Sequence, residues 1–464
     1  MSAKTLDLVL QNVLKKITPS EQEKQAVHAV IEDVLEETKI IIKPHCLSVV
    51  LAGSFTRNTW LSHKKEFDIF IQFPVETSRE DLEKLGLELG KKIVKSFKGS
   101  HVIAYAEHPY VRSKIKGYDV DIVPCYKVES AEKIKSAVDR TPFHNQYLSK
   151  KLHPHQSAEV RLMKMLCKVN GLYGSDLKTQ GFSGYLCELL IVKYDDFKTL
   201  LKEVSGWLPG QVFIDLEGKY SGNRKEFYNQ PLVLIDPVDP KRNVAAALSP
   251  AIFVKFVGLA KEFLAKPSET YFQGKEAKTK TSELLRKIKS RKTLFLGVSF
   301  KRPGIVDDIV YPQLRKTAKR LVDILKEYEF VCIGQAISTD EKTCWVLLEF
   351  EVWNLPDIRR VVGPPVFAIK NSQDFVDKYK KIGRVWVEED RWVAEVPRQF
   401  KDARQKIIHS LSDKASILKA KGIANHMAVS ISKGFKVLDA KQVLKTGNKD
   451  LIEIIRKYLE ENLA

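Results

Sequence analysis

Residues 51–73 read LAGSFTRNTWLSHKKEFDIFIQF. In the last eight of them Phe67, Ile69, Ile71 and Phe73 alternate with positions that include Glu66 and Asp68. Successive strand side chains point to opposite faces, so this pattern predicts a strand with an apolar back and a doubly negative front. Adjacent carboxylates repel each other unless positive charge lies between them, and a divalent cation supplies it. The stretch YDVDIVPCYKV at 118–128 repeats the device, with Tyr118, Val120 and Ile122 alternating with Asp119 and Asp121. Strand geometry leaves Asp119 and Asp121 as equal candidates, and an exposed edge guarded by charge is the bland alternative. Upstream, Gly53 and Ser54 form a turn that lets a phosphate approach backbone N–H groups and a hydroxyl, with Arg57 in reach. Carboxylates on neighbouring strands beside such a turn make a candidate site for two Mg²⁺ ions, because hard oxygen ligands and polyphosphate together complete their coordination. A P-loop is excluded, since no G-x-x-x-x-G-K-[ST] occurs.

The 464 residues carry 77 Lys and Arg against 58 Asp and Glu, a formal charge of +19, and 44% hydrophobic residues. These values predict a folded, multidomain chain with a polyanionic partner. No apolar run of membrane-spanning length occurs, and the N-terminus lacks a secretory cleavage pattern. The six cysteines are scattered without a C-x-x-C pair, so they read as small buried hydrophobes in a reducing, cytoplasmic setting.

Along the chain, Thr18, Pro19 and Glu21 suggest an N-cap, first turn and capping box for a helix whose stripe is Val27, Val30, Ile31, Val34 and Leu35. Strands are expected at 46–53, 66–73, 101–109, 110–117 and 118–128, with a helix at 79–97. The pattern then turns mainly helical, and the residues around Arg242 are expected to open a helix after a proline. A basic segment at 275–292 holds eight Lys or Arg against two Glu. TLFLGVSF, YPQLRKTAKRLVDILKEY, FVCIGQAIS and CWVLLEFEVW follow as strand, helix, strand, strand, the pattern of a split βαβ sheet. A Lys- and Gly-rich tail ends in a helix.

GSFTRNTWLSHKKEFDIF resembles the G-S and [DE]-h-[DE] signature of DNA polymerase beta-like nucleotidyltransferases. With YAEHPYV, VDIVPCY, KSAVDRTPFH, NGLYG, GFSGYLCELL, DPVDPKRNVAA and VDDIVYPQL, in collinear order over about 50–315, the chain is similar to the archaeal class I CCA-adding enzymes. The resemblance implies an α+β, multidomain fold: a catalytic head at 1–145, a helical neck at 146–265 completing the nucleotide site, and a body and tail at 266–464 that bind tRNA. It implies template-independent addition of C, C and A to the tRNA 3′ end from CTP and ATP, with two Mg²⁺ ions held by Glu66, Asp68 and Asp121. By the same resemblance Ser54 and Arg57 grip the triphosphate, His144, Lys164 and Tyr173 complete the nucleotide site from the helical domain, and Arg242 selects the base together with tRNA backbone phosphates. An arginine offers donors only, which suits acceptor atoms on C and A and mismatches the protonated ring nitrogens of U and G. The basic segments at 275–292 and 414–449 would track RNA phosphates. A homodimer is suggested by the family, although no interface signature is visible. The rival readings are a poly(A) polymerase-like terminal transferase and a noncatalytic RNA-binding protein on the same scaffold.

Overall fold

The computed structural model describes residues 3–105, 107–274 and 280–460, with the side chains of residues 3 and 4 left aside. The chain divides into two compact units on either side of residues 275–279.

The first unit begins with α1 (Ala3–Ile17), α2 (Glu21–Ile42), β1 (Ser48–Ala52), β2 (Glu66–Phe73), α3 (Arg79–Ser96), β3 (Ser100–Tyr105), β4 (Pro109–Ile115) and β5 (Tyr118–Tyr126). The strands form one sheet in the order β1-β2-β5-β4-β3, in which β2 and β5 are parallel and the other pairs antiparallel. The back of β2 behaves as its alternation predicts: Phe67, Ile69, Ile71 and Phe73 are buried with Val27, Ile31 and Val34 of α2 and Leu82, Leu89 and Ile93 of α3. Helix α3 approaches closely enough that a Cβ at Gly86 would lie 2.6 Å from the Pro124 ring, so glycine is required there.

The cap of α2 differs from the sequence expectation by two residues. Ser20, rather than Thr18, is the N-cap, and Glu23, rather than Glu21, closes the capping box. The Glu23 carboxylate also accepts from Ser62 Oγ and the His63 backbone, tying α2 to the loop before β2. That third anchor explains why the register with Ser20 wins.

The unit continues with α4 (Thr141–Lys151), α5 (Gln156–Val169), α6 (Gly184–Tyr194), α7 (Phe197–Val204), β6 (Val212–Asp215), β7 (Leu232–Asp236), β8 (Asp239–Asn243) and α8 (Pro250–Ala265). Their core gathers Leu162 and Leu166 of α5, Leu189 and Leu190 of α6 and Phe253 and Phe256 of α8, and it takes in Leu10, Val13 and Ile17 of α1. The region is helical as expected, and it also carries a small sheet ordered β6-β7-β8. Arg242 therefore lies on a strand, not at a helix start. Pro240 is tolerated there because β8 is an edge strand, where a missing N–H costs no ladder bond.

The second unit holds α9 (Thr281–Ser290), β9 (Leu294–Lys301), α10 (Asp307–Lys326), β10 (Val331–Thr339) and β11 (Thr343–Val352). Next come β12 (Ile358–Pro365), α11 (Ile369–Tyr379), β13 (Arg384–Glu388), β14 (Arg391–Pro397) and α12 (Ala403–Leu411). The chain ends in α13 (Ala415–Ala420), α14 (Asn425–Ile431), β15 (Phe435–Asp439), α15 (Ala440–Lys445) and α16 (Lys449–Glu460). Strand β11 pairs antiparallel with both β9 and β10 and so lies between two parallel strands, which is the split βαβ expected from sequence. Leu296, Val298 and Phe300 of β9 pack with Leu314 and Leu321 of α10, while Phe295 faces Leu284 of α9 and Leu451 of α16. The three-stranded sheet β12-β14-β13 was not anticipated. Of the basic segment, residues 275–279 lie outside the described residues and 281–290 form α9.

The capping geometry predicts that Ser20→Ala lowers stability by ~1 kcal/mol in chemical denaturation, whereas Thr18→Ala is close to neutral. Backbone hydrogen bonds hold the Glu23 carboxyl down to about 2 from its ordinary 4.5. A depressed carboxyl stabilises above its unfolded pKa, so the contribution of Glu23 is lost as pH falls from about 4.5 to about 2.

Candidate functional site

The site is built by strand register. Parallel pairing of β2 with β5 sets Glu66 opposite Asp119 and Asp68 opposite Asp121, so these acidic residues share one face of the sheet. The antiparallel neighbour β4 sets Arg112 opposite Asp121 and Lys114 opposite Asp119. Further along, the same face becomes apolar, with Phe70, Val123 and Cys125 packed together. The negative patch is thus confined to one end of the sheet.

Positive charge answers most of it. Arg112 donates to both Asp121 oxygens, at 3.0 and 2.8 Å, and also to Tyr110 Oη at 2.7 Å. Lys64 pairs with Glu66 at 2.8 Å and stands 3.5 Å from Ser54 Oγ. Asp68 makes no ion pair or hydrogen bond among the described residues. Burial, followed by the neighbouring Asp121 charge, pushes its carboxyl from 3.8 up to about 6. Gly53 borders it with φ +94°, and a Cβ there would lie 3.6 Å from Asp68 Oδ2, so the turn is open to glycine and strained for other residues. Among the described residues no group of three or more His, Cys, Asp or Glu side chains is placed to hold a metal ion; Asp121 pairs with Arg112 and Glu66 with Lys64.

Beside this edge lies a cavity of about 230 Å³ whose lining includes Ser54, Lys64, Glu66, Lys164, Lys168 and Tyr173. The turn after β1, α5 and the loop that follows it therefore bring Ser54, Lys164 and Tyr173 around one space with Glu66 and Asp119. Arg57 does not line it. It turns inward to Glu188 Oε2 at 2.9 Å and also donates to Asn145. Glu188, fully buried on α6, takes Lys164 Nζ at 3.0 Å and the Thr59 hydroxyl on its other oxygen. Against its burial, Lys164 and Arg57 hold the Glu188 carboxyl at about 2. Burial in turn lowers the Lys164 amine from the usual lysine range. One buried anion shared by two cations leaves the cavity wall with surplus positive charge.

His144 and Arg242 belong to a separate cluster in the same unit. Both reach Asp236 Oδ2 at 2.8 Å, and Tyr185 Oη stands 3.2 Å from Oδ1 with its ring stacked on His144. Arg140 from the start of α4 binds Asp239 at 2.8 Å, bracing the same hairpin.

Sequence reasoning missed Glu188 and Arg112. A signal existed for Glu188: it is a lone carboxylate in the apolar run GYLCELLIV, as Lys164 is a lone amine in RLMKML. Buried charges of opposite sign on different helices are expected to find each other.

Residues 18–144 match the family model described as a nucleotidyltransferase domain. That agrees with a carboxylate patch beside a lysine-lined cavity, and the class of the first unit is thereby a nucleotidyltransferase. Residues 158–273 match the model "tRNA nucleotidyltransferase, second domain", and residues 291–440 match "CCA-adding enzyme, C-terminal domain". A curated CCA-adding enzyme of Methanosarcina acetivorans is 37% identical over 455 residues, covering 96% of this chain and 97% of the relative. One from Methanocaldococcus jannaschii is 38% identical over 404 residues, covering 85% and 88%. The chain belongs to the CCA-adding enzyme family. Among solved structures, a Cid1 poly(U) polymerase aligns with 59% of this chain and all of its own at 13% identity and a TM-score of 0.47.

Because the folded Asp68 carboxyl is raised, its ionisation destabilises the ligand-free protein. Stability should fall as pH rises from about 4 to about 6, and Asp68→Asn should flatten that decline in a thermal-denaturation series.

Proposed function

We propose that Glu66, Asp68 and Asp121 are the catalytic carboxylates with which this CCA-adding enzyme extends tRNA by C, C and A, and that they hold two Mg²⁺ ions. The observation that carries this reading is the β2–β5 register, which sets Asp68 and Asp121 side by side. The donor set fits the group: the oxygens are hard, and Asp68 lacks a cation of its own while Arg112 and Lys64 neutralise its neighbours. When bound, divalent ions supply Lewis-acid activation of the RNA 3′-hydroxyl and charge neutralisation on the departing pyrophosphate.

The chain's own residues do the rest. Gly53 keeps the turn clear for phosphate, and the Ser54 hydroxyl stands at the cavity rim to donate to it. Lys164, with Tyr173 beside it, receives the triphosphate from the opposite wall. Arg57 acts from behind, sharing Glu188 with Lys164 and so contributing charge to the same wall. His144 completes the nucleotide site beside Arg242, which reads acceptor atoms on C and A. The head at 1–145, neck at 146–265 and body and tail at 266–464 then divide the work, with lysines and arginines of α9 and of 414–449 tracking tRNA phosphates.

The test supplies purified protein and Mg²⁺ with a tRNA transcript lacking its last three nucleotides, giving each labelled nucleotide singly and then CTP with ATP. Two additions with CTP alone, and one more with ATP followed by a stop, are expected. A long ladder with ATP alone would identify a poly(A) polymerase-like transferase instead. Asp68→Ala should abolish incorporation while leaving tRNA affinity within a few-fold, and surviving incorporation would refute the carboxylate assignment.

A further inference from the structure

Asp236 has no exposed surface, yet it is the meeting point of two residues assigned to the nucleotide site. Its Oδ2 receives His144 Nε2 from α4 and Arg242 Nη1 from β8, each at 2.8 Å. Its Oδ1 receives the Val238 backbone N–H at 3.2 Å and stands 3.2 Å from Tyr185 Oη. Four donors on two oxygens leave this carboxylate little freedom to move, and the flanking hairpin is braced by the Arg140–Asp239 pair. Arg242 is held through Nη1, and its side chain keeps 36% exposure beside a cavity of about 460 Å³ lined by Ser175, Ser183, Phe227, Gln230 and Asn243 among others.

An unrestrained guanidinium is a poor judge of bases. It rotates to suit any acceptor and is drawn to any phosphate, so it adds affinity without choice. An arginine pinned by one nitrogen to a buried anion has its charge largely met and its remaining N–H groups aimed in one direction. It then rewards a base that offers acceptors there and penalises one that offers a ring N–H.

We propose that Asp236 is a positioning residue for base selection: held in place by His144, Tyr185 and the Val238 backbone, it fixes the orientation of Arg242. The inference rests on the roles given to Arg242 and His144 in the proposed function.

The experiment compares single-nucleotide incorporation on a tRNA transcript lacking its last three nucleotides, measuring kcat and KM for CTP and for UTP in wild type, Asp236→Asn, Arg242→Met and Tyr185→Phe. In Asp236→Asn the CTP/UTP ratio of kcat/KM should fall by about tenfold or more, mainly through improved use of UTP relative to CTP. A purely structural role would lower both nucleotides together and leave the ratio unchanged. If Arg242→Met collapses the ratio and Asp236→Asn does not, the positioning role is overturned while the assignment of Arg242 stands. If Arg242→Met leaves the ratio intact, that assignment fails and this inference fails with it. Should Asp236→Asn not fold, Tyr185→Phe decides: it deletes one hydroxyl beside Asp236, a few-fold drop in the ratio is expected, and an unchanged ratio overturns the proposal.

Discussion

Parallel pairing of β2 with β5 is the constraint on which the site depends. It places Glu66 and Asp68 against Asp119 and Asp121 on one face of a sheet whose other face is sealed by α2 and α3. Like charges directly opposite each other destabilise a sheet. The fold tolerates them because Arg112 and Lys64 lie on adjacent segments, and because the patch ends where Phe70, Val123 and Cys125 take over the face. Asp68 is left both buried and beside the Asp121 charge, and a carboxyl in that condition gains the most from an incoming cation.

Two buried carboxylates then do for the basic side chains of the first unit what the register does for the acidic patch. Glu188 draws Arg57 and Lys164 together across about one hundred residues of chain, and Asp236 does the same for His144 and Arg242. Removing one partner of such a pair leaves an uncompensated buried charge, so these contacts fix geometry more than they add net stability. Residues that look like isolated phosphate ligands are held in two rigid groups.

Much of this was legible in the sequence. The alternation in EFDIFIQF placed β2 to the residue, and the strand, helix, strand, strand pattern after 293 located the split βαβ. The shared face of Glu66 and Asp68 followed from alternation, whereas the choice of Asp121 over Asp119 came from the family resemblance alone, since the β2–β5 register pairs each of them with a carboxylate, Asp119 with Glu66 and Asp121 with Asp68. The cap of α2 was misplaced because TPSEQE offers two overlapping cap patterns, and only the tertiary contact of Glu23 with Ser62 separates them. The small sheet at 212–243 stayed hidden because LVLID is short and apolar enough to read as either helix or strand. Arg57 looked like a phosphate ligand and proved to face Glu188, a partner 131 residues away that no local pattern could assign.

The central claim is that one carboxylate patch, made by register, is where divalent metal and chemistry meet. Counting Mn²⁺ by electron paramagnetic resonance, in titrations of the protein with a non-hydrolysable ATP analogue, tests it most directly. The account predicts two bound ions per chain in the wild type, with the tighter of them lost in Asp68→Asn and in Asp121→Asn. Metal binding that survives both substitutions unchanged would place the ions elsewhere and contradict the account.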